Sequence, residues 1–400
     1  MKILRVIATV DPATGGPVAG MRAITPLLTK LGHQTDFLTV DDPFAGYLQS
    51  WVGQTFAMGP AVNSYAFARR VRPWLEKNIS RYDAVVVHGL WQYLGVAVRA
   101  VTQARGGPPY FVMPHGMLDP SIRSTYPIKH VKKWLYWQLM ERRILRDARA
   151  VLFTCQEERR LARKTFPFYQ CNERVIAYGA ARPEGSRDRW NTAWNERCPS
   201  AAGHRYFLFL GRIHSKKGVE LLLQAYGKIT RTYPVSHGGT PPDLVIAGPC
   251  IDERYLATLK TLAQAEGIGA SVHWPGMITG EAKWGALANA EAFVLPSYQE
   301  NFGIAVVEAL ACGTPVLISN RVNIWSELDA DNVALVEPPT SDGINRLLER
   351  WLLLTADARN KMRDAARASF EKRFEIGFAA QHLVDQLSSL LSQRPVPPGR

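Results

Sequence analysis

Two glutamates stand eight positions apart in the stretch SYQENFGIAVVEALACGTPV, residues 297–316. A strand-like apolar run precedes it, so Glu300 falls in a loop and Glu308 on the helix that follows. A carboxylate only accepts hydrogen bonds and can hold two neighbouring hydroxyls of a ribose, which suits Glu308. The N–H groups beside Phe302 and Gly303, at the helix start, can bind a phosphate. With Glu300 against a sugar, these groups could bind a nucleotide sugar along its length. The spacing fits equally a capped amphipathic helix with Glu308 in a salt bridge.

A second candidate is the stretch FLFLGRIHSKKG, residues 207–218. A strand ends at Leu210, and Arg212 and Lys217 flank the loop before the next helix. The planar guanidinium of an arginine and the point charge of a lysine together suit a diphosphate. A solvated basic loop explains the same residues equally well.

The first half of the chain carries weaker candidates at its own strand ends. Gly15 and Gly16 follow the first strand, where glycine allows a tight turn and a close approach of phosphate. A purely structural turn fits them too. Asp41 follows the next strand, as a ribose-binding acid does in dinucleotide-binding folds. His88 and His115 each precede a glycine at a strand end, and Pro114 and MLDP around His115 indicate a fixed loop there.

The elements that must position these residues are short β-branched runs alternating with helix-length segments. This pattern predicts an α/β fold with parallel sheets covered on both faces. The predicted strands are residues 3–10, 35–40, 84–88, 110–113, 150–154, 174–177, 206–210, 243–247, 271–274, 292–295, 315–318 and 333–336.

These runs divide into two halves that predict two Rossmann-like, doubly wound domains. The predicted boundaries are 1–178 for the first domain, 179–204 for a polar linker, 205–375 for the second domain and 376–400 for a C-terminal helix and tail. We expect that helix to pack back on the first domain. Two such domains facing one another would place the carboxyl ends of both sheets at a central cleft, where these folds bind ligands.

The composition is that of an ordinary globular protein, with 46% hydrophobic and 21% charged residues among 400. The five cysteines are odd in number and form no CxxC pair, which favours a reducing compartment and argues against structural zinc. No run of eighteen apolar residues predicts a membrane span, and MKILRVIATV reads as a buried strand rather than a secretion signal. We therefore expect a cytoplasmic protein.

The net charge of +13 is distributed unevenly. The first 200 residues hold 28 Lys or Arg and 15 Asp or Glu, whereas the last 200 hold 20 of each. A solvated basic face could explain any single patch. An asymmetry this complete predicts that the first half meets something acidic.

Taken together, Glu300 and Glu308 with ALACGTPV, GRIHSKKG and TGGP resemble the glycogen-synthase-like retaining glycosyltransferases of family four. That family has the GT-B architecture of two Rossmann-like domains. The resemblance covers nearly the whole chain and is specific over residues 206–318. MPHGMLDP, followed by a basic aromatic helix, resembles the branch that builds bacterial surface polysaccharides.

The resemblance implies a role for each matching residue toward a GDP- or UDP-linked sugar donor. Arg212 and Lys217 would hold the diphosphate, Glu308 the ribose and Glu300 the transferred sugar. The backbone of Asn301, Phe302 and Gly303 would lie beside the sugar and phosphate. Gly15 and Gly16 would lie near the diphosphate. His115 would face the sugar, and Met277 would lie near the base. The chain departs from the family pattern at Val322-Asn323, so that loop has no assigned contact.

The family is thought to react on one face of the sugar, so that the leaving diphosphate takes the proton of the acceptor hydroxyl. Arg212 and Lys217 would then stabilise the developing charge, an effect worth about 3–4 kcal/mol per donor. No cofactor or metal is expected, and the DAD triplet at Asp329–Asp331 reads as a surface turn. The transferred group would be a hexose such as mannose, glucose or galactose, and the acceptor a glycan or lipid-linked glycan.

Other functions stay open at this point. A sugar-nucleotide epimerase or hydrolase could use the same architecture. A nucleotide-binding dehydrogenase would explain Asp41 and the glycine loop but not Glu300, Glu308 or the basic loop. A nucleic-acid binder would explain the charge alone, and no motif of such a fold is present.

The basic half contains KHVKKWLYWQLMERRILR, residues 129–146, in which cations alternate with Trp134, Tyr136 and Trp137. Aromatic and basic residues on one helix suit a lipid headgroup layer. We therefore expect the protein to work at the inner membrane surface on a lipid-pyrophosphate-linked glycan. In the alternative, the aliphatic residues Val131, Leu135 and Leu139 bury this helix. The cations are Lys129, Lys132, Lys133, Arg142, Arg143 and Arg146.

Overall fold

The computed structural model describes residues 1–121, 127–237 and 240–393, and the chain forms two compact units. Unit 1 comprises Met1–Gly179 with Ile376–Arg400, and unit 2 comprises Ala180–Glu375. Each unit is built on its own parallel β-sheet. The predicted fold class, α/β with two Rossmann-like sheets, is confirmed.

Within the described residues, the sheet of unit 1 has seven strands in the order β3-β2-β1-β4-β5-β6-β7. Alternate residues of one strand enter different apolar clusters: Val85 and Val87 pack in one, Ala84 and Val86 in the other. A strand buried on both faces needs such an unbroken apolar run. The strands are β1 Lys2–Val6, β2 Gln34–Thr39, β3 Gln54–Ala57, β4 Ala84–His88, β5 Tyr110–Met113, β6 Ala150–Phe153 and β7 Glu173–Val175.

Helices cover both faces of this sheet. In chain order they are α1 Gly16–Lys30, α2 Val71–Asn78, α3 Tyr93–Arg105, α4 Pro127–Tyr136, α5 Arg142–Asp147 and α6 Gln156–Ala162, with a π-helical segment Trp137–Glu141 joining α4 to α5.

Unit 2 repeats this plan with six strands, in the part of the chain that the structure describes, in the order β10-β9-β8-β11-β12-β13. The strands are β8 Tyr206–Leu210, β9 Asp243–Ala247, β10 Val272–Gly276, β11 Ala292–Leu295, β12 Val316–Ser319 and β13 Ala334–Glu337. The helices are α7 Arg187–Arg197, α8 Val219–His237, α9 Glu253–Ala265, α10 Gly280–Asn289, α11 Ile304–Ala311, α12 Trp325–Ala330, α13 Ser341–Leu353 and α14 Ala356–Ser369.

The last helix, α15 (Ile376–Ser392), belongs to unit 1. Leu383, Leu387 and Leu390 on it are buried in one apolar cluster with Ile24 and Leu28 of α1. The Arg149 guanidinium, just before β6, donates hydrogen bonds to the carbonyl of Leu390 and so fixes the end of the helix. The C-terminal helix therefore completes one face of the first sheet.

Each predicted strand overlaps an observed one, and β3 is the strand that was not predicted. It is a short, partly exposed edge strand with the sequence QTFA, in which only Thr55 is β-branched. Such a segment carries little of the apolar signal that marks the central strands.

The prediction of a linker over residues 179–204 is wrong. The segment contains helix α7, which packs on α10. Ser186 caps this helix by accepting a hydrogen bond from the N–H of Arg189. Trp194 is fully buried in this contact. The helices approach closely because Gly285 has no side chain: a Cβ there would lie 2.2 Å from the carbonyl oxygen of Trp190. Helix α7 is packed through Gly285 and Trp194 and not through an apolar stripe. Its sequence therefore lacks the periodic pattern that predicts a helix.

Within the described residues, none of the helices combines the length and the apolar character needed to cross a bilayer.

The α7–α10 contact predicts that Gly285→Ala destabilises the protein, although alanine is the better helix former by about 1 kcal/mol. The added methyl group must push the α7 backbone away, and we expect the free energy of unfolding to fall by about 1–3 kcal/mol in urea titrations followed by circular dichroism. Gly46→Ala is the matched control, since a Cβ at that position meets no atom within 4 Å. A Gly285→Ala protein as stable as the wild type would contradict the close packing.

Candidate functional site

The strand order of unit 2 reverses direction at its centre, where β8 and β11 are neighbours. The chain leaves these two strands toward opposite sides of the sheet, so the loops after their carboxyl ends enclose a crevice. In parallel α/β folds this switch point is where ligands bind. Arg212 and Lys217 lie in the loop after β8, and Glu300 lies in the loop after β11.

The loop after β8 ends in a single 3-10 turn, Ser215–Lys217. His214 caps this turn, because its ring accepts a hydrogen bond from the N–H of Lys216 at 3.1 Å. Gly218 closes the turn with φ +67°, and a Cβ on it would lie 2.4 Å from the carbonyl oxygen of Pro296. Glycine is therefore required both by the backbone conformation and by the neighbouring loop.

The same loop presents concentrated positive charge. Arg212 is exposed, and its side chain has no hydrogen bond or ion pair to any residue that the structure describes. Burial, together with the charges of Arg212, Lys216 and Lys217, lowers the pKa of His214 below its ordinary value. The loop is thus a cationic surface with one guanidinium ready to bind an anion.

Lys217 and Glu300 form an ion pair that joins the loops after β8 and β11. Both side chains are 19% exposed. The backbone supports the pair, since the N–H of Tyr298 donates to the carbonyl of Lys216 at 2.9 Å. Two residues that the sequence analysis assigned separately to diphosphate and sugar are therefore in direct contact.

A third loop, which follows β12, fixes the backbone of Glu300. The N–H of Glu300 donates to the carbonyl of Arg321 at 2.9 Å, and the N–H of Asn323 donates to the carbonyl of Glu300 at 3.0 Å. The buried Asn323 side chain also contacts the amide of Asn301 at 3.4 Å. The loop without an assigned role in the family pattern thus positions the glutamate.

Helix α11 starts directly after this junction. Gly303 precedes it with φ +72°, and its carbonyl accepts from the N–H of Val306 at 2.8 Å. Phe302 is 6% exposed, with its ring centroid 6.0 Å from that of Phe374. Its side chain belongs to the core, which leaves the backbone of Phe302 as the part that a ligand could contact.

Glu308, on the same helix, forms an ion pair with Lys283 of α10 at 2.8 Å. The Lys283 ammonium lies 4.0 Å from the ring centroid of Trp284. Sequence reasoning missed Lys283, because nothing in its local spacing distinguishes it from a surface lysine. Unit 2 therefore has a further lysine–glutamate pair, which joins α10 to α11.

Unit 2 also has an open groove of about 200 Å³ at the carboxyl ends of β8, β9 and β10. Apolar side chains and glycines dominate its lining, with a carboxylate and an ammonium at the edge. Met277, expected near the base, lies on it and is 61% exposed. Its lining includes Ile213, Gly248, Pro249, Glu253, Lys260 and Trp274.

The candidates in unit 1 occupy the corresponding strand ends. Gly15 has φ +101°, and a Cβ on Gly15 or Gly16 would meet no atom within 4 Å, so the glycine loop is open. His115, with φ +50°, shares a hydrogen bond of 2.9 Å between its Nε2 and the Nδ1 of His88. Burial, reinforced by the charge of Arg5, lowers the pKa of His115 to about 4. His115 is therefore neutral at pH 7.

Two acidic candidates have structural partners. Each oxygen of the buried Asp41 accepts a hydrogen bond, one from the N–H of Val10 at 3.0 Å and one from the hydroxyl of Tyr47 at 2.8 Å. Asp41 therefore holds the loops after β1 and β2 together. Asp331 of the DAD triplet accepts two hydrogen bonds from Arg373, at 2.7 and 2.9 Å.

The basic aromatic segment, which we define as residues 127–147, has an exposed apolar side. Val131, Leu135 and Leu139 are 67%, 56% and 53% exposed. The alternative in which these three residues bury the helix is therefore wrong. Trp134 and Met140 are exposed as well.

The expectation that Tyr136 and Trp137 face a lipid surface is also wrong. Trp137 is fully buried, donates to the carbonyl of Pro167 at 2.9 Å and stacks on Phe166. The hydroxyl of the half-buried Tyr136 bonds that of Tyr65 at 3.0 Å. The π-helical segment adds a residue to one turn and so changes which side chains face the core. Lys129 lies outside the residues whose side chains are described.

The exposed cations flank the apolar side. Within the described residues, Lys132 and Arg143 are exposed and have no ion pair or hydrogen bond. Lys133 instead turns inward, 4.9 Å from the ring centroid of Trp91, and Arg146 pairs with Asp147. Among the side chains of this segment that the structure describes, Lys132 and Arg143 are therefore the cations that a surface could bind.

Two doubly wound sheets and a basic, carboxylate-containing crevice at the switch point of one of them define the class of GT-B glycosyltransferase folds. A family model for glycosyl transferases group 1 matches residues 192–369, and one for a glycosyl transferase 4-like domain matches residues 15–179. The chain belongs to this glycosyltransferase family.

Individual relatives and structures agree with this placement. The chain is 31% identical to the D-rhamnosyltransferase WbpZ of Pseudomonas aeruginosa, over 52% of this chain and 50% of WbpZ. It is 26% identical to the O-antigen chain mannosyltransferase C of Escherichia coli, over 57% and 56% of the two chains. The matches thus span about half the length of these relatives. The crystal structure of Anabaena HepE in complex with UDP and glucose has the same fold, with a TM-score of 0.74 at 17% identity, over 97% of this chain and all of HepE.

The Glu308–Lys283 pair generates a prediction that separates two roles for the glutamate. If Glu308 binds a ribose, Glu308→Ala should weaken binding of UDP or GDP about tenfold or more in isothermal titration calorimetry. If Glu308 only neutralises Lys283, Glu308→Ala should bind the nucleotide as tightly as the wild type or more tightly. That result would contradict the ribose role. Glu349→Ala, at an exposed position on α13, is the matched control.

Proposed function

We propose that the protein is a retaining glycosyltransferase that moves a hexose from a GDP- or UDP-linked donor to a glycan or lipid-linked acceptor. The observation that carries this proposal is the Lys217–Glu300 pair at the switch point of unit 2, in the same loop as Arg212, which has no partner among the described residues. The names of the relatives, a D-rhamnosyltransferase and an O-antigen chain mannosyltransferase, support bacterial surface-polysaccharide synthesis as its setting. UDP and glucose in the HepE complex support a nucleotide-sugar donor.

The two cations would act at different stages. Arg212 is exposed and has no partner among the described residues, so it could bind the donor diphosphate without breaking an existing contact. Lys217 is paired with Glu300 and could share its protons with a phosphate oxygen while it still holds the carboxylate. Together they would stabilise the charge that develops on the diphosphate as the glycosidic bond breaks, with no metal involved.

Retention would follow from a reaction on one face of the sugar. Glu300 is the carboxylate beside the proposed sugar position, and its ion pair with Lys217 favours a role as a hydrogen-bond acceptor over that of a nucleophile. The leaving diphosphate would then accept the proton of the acceptor hydroxyl as the new bond forms. An epimerase or hydrolase of the same fold would instead convert the donor without any acceptor.

The proposal predicts nucleotide release that depends on an acceptor. A panel of UDP and GDP sugars, each assayed with and without lipid-pyrophosphate-linked glycans, should give one productive donor whose product keeps the anomeric configuration by NMR. Activity should persist in EDTA. Free sugar or an epimer formed without acceptor would favour the alternative, and complete loss in EDTA that manganese restores would contradict the metal-independent mechanism.

With that donor, Lys217→Ala should lower kcat about 100-fold or more, because the leaving group loses a cation in the transition state. Lys216→Ala is the matched control, since it removes the neighbouring charge in the same turn and leaves the Glu300 pair in place. Equal kcat values for the two variants would contradict the assignment of Lys217.

We further propose that residues 127–147 attach unit 1 to the inner surface of an anionic membrane, where a lipid-linked acceptor would be available. The exposed Val131, Leu135 and Leu139 could enter the headgroup layer, while Lys132 and Arg143 lie beside them. Burying a full aliphatic side chain contributes about 1.5–3 kcal/mol, and a basic residue near an anionic leaflet about 1 kcal/mol. The protein would thus be cytoplasmic and peripheral.

This membrane proposal predicts co-sedimentation with vesicles that contain phosphatidylglycerol and none with phosphatidylcholine alone. Added salt should release the protein, because the charge contribution is screened. The double variant Lys132→Glu/Arg143→Glu should bind at least tenfold more weakly, whereas Arg22→Glu/Lys30→Glu on α1, with the same charge change, should bind like the wild type. Protein that stays in the supernatant with anionic vesicles at low salt would rule out the membrane proposal alone.

A further inference from the structure

Arg5 on β1 is a buried cation to which the structure gives no counter-charge. The residue is 3% exposed, and its side chain makes no hydrogen bond or ion pair with any described residue. Its Nε is fully enclosed and lacks an acceptor. Burial lowers its pKa to about 10, so the guanidinium is still charged at pH 7. Moving an ion out of water costs several kcal/mol, and proteins ordinarily compensate that cost with a nearby opposite charge.

The guanidinium lies beside a small cavity in unit 1, at the carboxyl ends of β1, β4 and β5. Apolar side chains and a histidine pair complete the wall, and the space is little larger than one water molecule. The lining residues are Arg5, Gly20, Met21, Ile24, His88, Met113, His115, Ile176, Ala177, Tyr178 and Leu383.

None of these lining residues is acidic. The buried Glu158, on α6, is the carboxylate that acts electrostatically on Tyr178, and it has other partners. Its oxygens accept hydrogen bonds from the N–H of Gly116 at 2.6 Å and from the N–H and hydroxyl of Thr154 at 2.7 Å. The cavity therefore has a positive wall that no lining carboxylate neutralises.

The histidines do not share this charge. Burial and then the charge of Arg5 lower the pKa values of both His88 and His115, so both rings are neutral at pH 7. One hydrogen bond joins the rings, and the Nε2 of His88 is enclosed without a partner. Arg5 is thus the one full charge among the lining side chains, and His88 has a further ring nitrogen available.

We propose that this cavity binds a single small anion, with Arg5 as its counter-charge and the neighbouring His88 ring as a hydrogen-bonding group. An anion would supply the acceptor that Arg5 lacks and would select the tautomer with the proton on His88 Nε2. The anion would be a free halide, since the cavity is little larger than one water molecule. This site does not rest on the proposed function.

The site is tested by thermal unfolding in sodium chloride and in sodium methanesulfonate of equal ionic strength, since the sulfonate is larger than a halide and carries no carboxylate. The wild-type Tm should be about 3 °C or more higher in chloride, as expected when ligand exceeds Kd about tenfold. Arg5→Met should lose this difference, and Arg5→Lys should keep part of it. Lys2→Met, which removes a charge from the same strand but outside the cavity, should respond like the wild type.

A second measurement locates the anion. Crystals grown in sodium bromide should show an anomalous peak beside the Arg5 guanidinium. A wild type and an Arg5→Met variant that respond alike to chloride would contradict the site.

The outcomes distinguish the two proposals. Chloride stabilisation without turnover of any donor would support the anion site and count against the glycosyltransferase. Turnover of a neutral donor that is independent of Arg5, with no chloride effect and no bromide peak, would overturn the anion site and leave the proposed function standing.

Discussion

The ion pair between Lys217 and Glu300 is the contact on which the geometry of the candidate site in unit 2 depends. It connects the loops after β8 and β11, two neighbouring strands at the point where the strand order reverses. A parallel sheet opens a crevice there because its two halves wind in opposite senses. Gly218, the Tyr298–Lys216 backbone bond and the loop after β12 all serve to hold these two side chains in place.

In a further ion pair, Glu308 compensates the charge of Lys283. Each glutamate neutralises a lysine at a position about one-fifth exposed. Removal of one partner from such a pair leaves a partly buried charge uncompensated, which costs more than the pair itself contributes. In the proposed function a phosphate oxygen would bind Lys217 while the lysine still holds Glu300, and Arg212 would supply additional positive charge. The geometry therefore favours a ligand that carries both negative charge and hydroxyl groups.

The sequence predicted the sheets well because their strands are buried on both faces and read as unbroken apolar runs, as in FLFL of β8 or VVV of β4. The apolar pattern did not predict elements that are packed in other ways. Helix α7 packs through Gly285 and Trp194, and β3 is an exposed edge, so neither has a strong periodic signal.

The candidate site shows the same division. Arg212, Lys217 and Glu300 became candidates because they follow strand ends, and Glu308 because it lies on the helix that begins after Glu300. Lys283 and the loop after β12 could not be found, since their importance comes from contacts between elements distant in sequence.

The basic aromatic segment was only partly predictable from its residue types. We expected its aromatic residues at a surface, with burial of Val131, Leu135 and Leu139 as the alternative. Trp134 and the three aliphatic residues are exposed, whereas Trp137 lies in the core at the start of the π-helical segment. Arg5 is a comparable case: a basic residue within a buried strand is visible in the sequence, but its lack of a partner among the described residues appears only in three dimensions.

The most direct test of the central claim is a crystal structure of the protein with UDP or GDP. We predict that the diphosphate lies against Arg212 and Lys217 and that the ribose hydroxyls contact Glu308. A nucleotide bound elsewhere, with the Lys217–Glu300 and Lys283–Glu308 pairs unaltered and Arg212 still free of any anion, would contradict the account.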